Sequence, residues 1–348
     1  MHSMEMFGLT EEQLHILYSL EYAISKKDMA DDKKPVADKA LWLEKWEAAL
    51  NDSQEDKVSI PYKGLDQLAA AVKLEAEKSP NKTWFYLTML EATLFVPYSP
   101  LGLQEDKRFK KLHFSNQSEF LKFFASLTTI MDPVYIDRFQ KTYSKTLDKL
   151  TGKWQKVAIG ALSVVAITAI AAATAGAAAG PIAVAMFGSE FAGLSGAALT
   201  SACLAMVGGG AIAAGGFGMA GGVIAIVGGG AILGAAGGGA AVSAASLMMK
   251  SAPSFTLTQA AKLEVVLKEI TLNAQKDIQN AQSVMNALRD QIKALQKELA
   301  ELKSEQEEDK KTLANLEKSL KYLKKAYEDM TVFKSSFELG MEVEEAEA

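Results

Sequence analysis

The chain has 348 residues, 37 basic and 42 acidic side chains, a formal net charge of -5 and one cysteine, Cys203. Length allows two or three structural units. The basic residues are interleaved with acids rather than gathered on one face, which argues against nucleic acid as a partner, and a single cysteine rules out an intramolecular disulfide framework. The histidines His2, His15 and His113 stand apart from any ligand set, so neither a metal nor a cofactor is expected.

In chain order, residues 1–150 read as a helical globular domain. Met1–Thr10 lacks the basic start and apolar run of a secretory signal peptide, so none is expected there. Thr10 and Gln13 form a T-x-x-Q capping box, with Leu9 and Leu14 placed as a hydrophobic staple, which predicts a helix from Glu11. Pro35 suits the first turn of a second helix running to Leu50. Further helices are predicted at 65–78 and 82–95, separated by Ser79 and Pro80 and ended by a Pro-containing run, and a Phe-rich one at 117–131. The adjacent carboxylates Glu11, Glu12, Asp31 and Asp32 read as solvated surface.

From Val157 to Met249 the only charged side chain is Glu190, and 21 of the 26 glycines lie there. About twenty apolar residues cross a bilayer, so 157–249 reads as a Gly/Ala-rich transmembrane or membrane-inserting region of two or four spans. The segment VGGGAI occurs at 207–212 and again at 227–232. The two triplets are either turns between short spans at 157–179, 191–207, 211–227 and 231–249, or weak points inside two longer helices. Gly210, Ala214, Gly218 and Gly222, and likewise Gly230, Gly234 and Gly238, repeat every four residues, the spacing of close helix packing in membranes. Trp154 with Lys153 and Lys156 before the run, and Lys250 after it, fit interfacial anchors and place both ends on one side. Glu190 is either an intramembrane acid or part of an interfacial loop.

Insertion is weakly driven. Val157–Ala179 contains seven Val, Ile or Leu residues, for an apolar gain of about 2 to 4 kcal/mol. Such a span suits either an integral membrane protein stabilised by helix packing or a soluble form that sheathes the run and later inserts it.

Residues 254–339 contain neither Gly nor Pro and step their apolar positions by four and three, from Leu263 through Leu302 and again from Leu313 to Met330. This predicts a long amphipathic coiled-coil helix or a helical hairpin. The lapse at Lys303–Thr312 fits an unbroken rod better than a hairpin tip, being polar without Gly or Pro. An acidic tail, 340–348, closes the chain.

The overall reading is all-α: a helical N-terminal domain, a Gly/Ala-rich membrane-inserting helical hairpin region and a long C-terminal coiled-coil helix. Over 157–335 this layout resembles the α-helical pore-forming toxins and the translocator proteins of bacterial secretion systems. Its Gly-x-x-x-Gly rows are similar to glycine-zipper membrane domains, including those of apolipoprotein L-like proteins. The resemblance implies a protein that oligomerises through its coiled coil and Gly-rich helices and permeabilises a lipid bilayer. The competing expectation is a membrane-anchored coiled-coil scaffold, and in either case the N-terminal domain is a candidate surface for a protein partner. No phosphate-loop, H-E-x-x-H or G-x-S-x-G pattern is present, so an enzyme is not expected.

Overall fold

The computed structural model of the chain describes residues 5–32, 35–52, 60–99, 101, 105–152, 225–233, 249–250, 253–305 and 310–347. Within these the fold is all-α, with one two-stranded ribbon. Helix α1 (Glu11–Asp31) starts at the expected capping box. The Gln13 amide donates to Thr10 Oγ1, at 3.4 Å, and the Thr10 amide to Gln13 Oε1, at 3.1 Å. Helix α2 (Val36–Asp52) follows Pro35, and its Trp42 and Trp46 stack at 6.0 Å. Helices α3 (Leu65–Lys78) and α4 (Thr83–Leu94) fall where the Ser79–Pro80 punctuation sets them. A short α5 (Asp106–Phe109) leads to α6 (Ser118–Thr128), whose exit residue Thr129 is left-handed at φ 59°. Helix α7 (Val134–Thr151) buries Ile136, Phe139, Tyr143 and Leu150 at helical spacing.

The C-terminal part departs from the expected long helix. Helix α8 (Pro253–Val265) passes into a π-helical segment, Val266–Ala274, and stops. Lys276 turns the corner at φ 56°, and the Asp277 side chain accepts from the Asn280 amide at the start of α9 (Ile278–Glu305). Helix α10 (Lys310–Glu347) then returns along α9, and an ion pair between Lys303 and Glu317, 2.5 Å, joins the two helices near the turn. The helices on either side of the polar lapse thus lie side by side as the two arms of a hairpin and do not continue as one rod. The physical reason is burial: Val284, Leu288 and Leu295 of α9 and Leu316, Leu323 and Met330 of α10 are all in the core, and a rod would leave them in water at about 1.5 to 3 kcal/mol each.

Helix α8 is the axis of the molecule. Every residue from Phe255 to Leu272 is buried, enclosed chiefly by α7 on one side and α10 on another, with α4 against the π segment. Residues 1–150 therefore share a single core with 253–347 rather than closing a core of their own.

The ribbon pairs β1 (Gly8–Leu9) antiparallel with β2 (Ala225–Ile226). A 3-10 turn, Gly230–Leu233, follows β2. The expected spans at 211–227 and 231–249 consequently do not run as uninterrupted helices, because their adjoining ends are strand and 3-10 turn. No helix among the described residues is long and apolar enough to cross a membrane. Trp154, Lys153, Lys156, Glu190, Cys203, Gly210, Ala214, Gly218, Gly222, Gly234 and Gly238 lie outside the described residues.

The hairpin is directly testable. Spin labels at Lys303 and Glu317 would be roughly 21 Å apart along a continuous helix. We expect a markedly shorter distance by electron paramagnetic resonance, since the two native side chains touch.

Candidate functional site: a glycine strap over buried charges

Residues Ala225–Leu233, at the edge of the charge-free run, form a strap drawn into the helical body. Its main chain is held by specific bonds: the Val227 amide donates to the Phe7 carbonyl at 2.9 Å, and the Gly228 amide to Glu91 Oε1 at 2.9 Å. Val227, Ile232 and Leu233 are buried beside Phe7 and Leu9 in the same core.

The glycines are required by space. Gly228 and Gly229 adopt φ of 64° and 87°, and a Cβ on Gly229 would stand 2.3 Å from the Gln259 carbonyl oxygen of α8. A Cβ on Gly230 would stand 2.5 Å from Phe7. Gly230 was expected in a membrane helix-packing row. It serves instead in a 3-10 turn that admits the Phe7 ring, because close approach at this site is between a turn and a side chain.

Beneath the strap is a cluster of charges with almost no solvent. Lys262 of α8 pairs with Glu91 of α4, with side chains 4% and 2% exposed. The other oxygen of the Glu91 carboxylate accepts from the strap. Glu21 of α1 is also buried, and burial first, then the neighbouring Glu91 charge, push its carboxyl well above the usual range despite the opposing effect of Lys262. Burial, then Glu21, raises the Tyr18 phenol; burial, then Glu91, raises that of Tyr143. The strap is thus fastened to a carboxylate that is itself balanced between a lysine and a second acid.

On the far side of α8, Glu264 is fully buried. It accepts from Lys268 at 2.6 Å and Thr146 at 3.1 Å, and burial outweighs both to raise its carboxyl. Lys268 reaches Asp329 of α10 at 2.6 Å, and Lys149 of α7 reaches the same carboxylate. Arg138 and Thr142 of α7 both donate to Glu269, at 2.7 and 2.6 Å. These contacts tie the last helix before the charge-free run, α7, to the first helix after it, α8.

Lys250, expected as an interfacial anchor, is paired with Glu298 of α9 at 2.7 Å. Sequence reading missed α7, whose signals were Pro133 and the helical spacing of Ile136, Phe139 and Tyr143. It also missed the buried Glu91, Lys262 and Glu264, which no local pattern distinguishes from surface charges. Chemically the cluster is a lock: it holds a main-chain amide and a salt bridge out of water. Among the described residues no group of His, Cys, Asp and Glu is arranged to hold a metal. Comparison with protein-family models, curated proteins and solved structures finds no match to this chain.

Two outcomes follow from this geometry. Gly229→Ala, strained in φ and blocked by main chain, should lower stability by about 2 kcal/mol or more in urea unfolding, well beyond the effect of Gly64→Ala, which meets only Gln67 and loses a favourable helix N-cap. Because the folded-state carboxyl of Glu21 is raised, its contribution is most favourable below the ordinary glutamate range and is lost as pH rises toward the folded value. Glu21→Gln should therefore raise the Tm at pH 7, with the difference shrinking as pH falls into the ordinary glutamate range, as thermal unfolding across that range would show.

Proposed function

We propose that this protein inserts its charge-free run, 157–249, into a lipid bilayer and permeabilises it, acting as an oligomer. The observation that carries this reading is the run itself, ninety-three residues with one charge, Glu190, between two very polar flanks. Water-soluble domains do not leave so long a stretch uncharged without a use for it, and twenty such residues already suffice for a crossing.

The helical body supports a switch rather than a simple anchor. The run emerges from α7 and re-enters at α8, helices cross-linked through Glu264, Glu269 and their partners. Near its end it is clipped down at Ala225–Leu233 by hydrogen bonds and packing, with no covalent bond. Weak intrinsic insertion, about 2 to 4 kcal/mol for the first candidate span, lets packing of this size hold the run back. Releasing the strap would leave the Glu91–Lys262 pair without its third member, a costly arrangement in a dry core, so release and opening of the body are coupled.

The test is dye release from liposomes by the full chain, with the strap locked or free. In a Cys203→Ser background, Gly8→Cys with Ile226→Cys places two thiols at paired positions of the ribbon, within reach of a disulfide. We expect the reduced form to release dye and the oxidised form to be slowed at least tenfold, with reductant restoring the rate. Failure of the unmodified chain both to bind liposomes and to empty them would end the proposal.

A further inference from the structure

The outer face of α10 is apolar where the body does not cover it. Val332 is 67% exposed, Leu339 63% and Val343 57%. Their neighbours on the inner face are taken: Lys268 lies 5.5 Å from the centre of the Phe333 ring and Lys276 5.0 Å from that of Phe337. The exposed residues are not scattered. Glu328, Val332, Ser336, Leu339 and Val343 recur at steps of four and three, a single seam of the kind helices use to pair.

Gly340 lies beside this seam inside α10, and a Cβ there would meet nothing within 4 Å. A glycine in a helix interior costs about 1 kcal/mol relative to alanine, and nothing among the described residues accounts for it. A second helix approaching closely would. Charge selects the partner and its direction. Glu338 is paired with Lys334 at 2.7 Å, but residues 342–347 carry four further glutamates and no base, while Lys321 and Lys324 lie about five to six turns before Glu342. A parallel copy would set acid against acid; an antiparallel copy sets each acidic end toward the other's lysines.

We propose that two copies of this chain pair antiparallel through the outer face of α10, crossing at Ser335–Ser336, with Val332 of each copy against Leu339 of the other. This gives a surface to the self-association in the reading above, on which it rests, and its test needs no membrane. The seam from Val332 to Val343 is only about 18 Å long, so the contact falls below the area of tight permanent dimers and association is weak and concentration-dependent.

The experiment is sedimentation velocity of the full chain without lipid, from about 1 to about 200 µM, together with cysteine cross-linking in the Cys203→Ser background. We expect a dimer at the upper concentrations, weakened roughly tenfold or more by Leu339→Glu. Ser336→Cys, at the crossing point, should give a disulfide-linked dimer under mild oxidation, whereas Lys321→Cys, far from its own copy, should not. A chain monomeric throughout the range with no Ser336→Cys product overturns the pairing. Equal cross-linking at both positions overturns the antiparallel direction. A fall in Tm for Leu339→Glu without any change in association overturns it too, by showing the seam covered by the chain itself. Liposome leakage that survives any of these results removes the surface and leaves the membrane reading standing.

Discussion

Helix α8 and the π-helical segment that continues it carry Lys262, Glu264, Lys268 and Glu269 into the centre of the molecule, where each charge must find an opposite charge or a hydrogen bond or else cost several kcal/mol. The surrounding elements are arranged to answer that requirement. Helix α4 supplies Glu91, α7 supplies Thr146, Arg138 and Thr142, and α10 supplies Asp329. Polar pairings of this kind add little net stability, but they are specific, because a helix shifted by one residue would leave four charges unanswered. The apolar contacts hold the bundle together, and the ionic ones set its register.

The strap uses the same chemistry on a smaller scale. Glu91 has two oxygens, one committed to Lys262 and the other to the Gly228 amide. A fully satisfied carboxylate tolerates burial, and losing either partner returns much of the desolvation cost. The end of the charge-free run is thereby connected energetically to the axis of the helical body. Gly228 and Gly229 allow the main chain to approach α8 closely enough for this, in a left-handed conformation that other residues adopt only with strain.

A second balance operates at the other end of the bundle. Asp28 of α1 pairs with the fully buried Lys39 at 2.7 Å and accepts from Tyr98 at 2.6 Å. Burial would raise the Asp28 carboxyl, but the bonds from Lys39, Tyr98 and Ser115 outweigh it and hold the group below the usual carboxylate range. Its stabilising contribution is present at neutral pH and lost only in strong acid, as pH falls through that lowered value. Glu21 and Glu264 have the opposite sign, so acid relieves the centre of the bundle before it loosens the α1–α2 end.

The sequence by itself determined the features that depend on neighbours along the chain. The capping box set the start of α1, Ser79–Pro80 separated α3 from α4, and the four-and-three stripe marked the apolar faces of α9 and α10. All are local, acting within a turn or two, and so was the composition that identified an all-α chain with a charge-free centre. Tertiary structure alone decided that the stripe folds into a hairpin, that it breaks at Lys276, and that Val227–Leu233 docks in the core. It also decided that Glu91 and Lys262 meet, 171 residues apart in the chain. The same glutamate or lysine pattern is compatible with a solvated helix face, and only the enclosure of α8 by distant helices turns those charges into buried, paired ones.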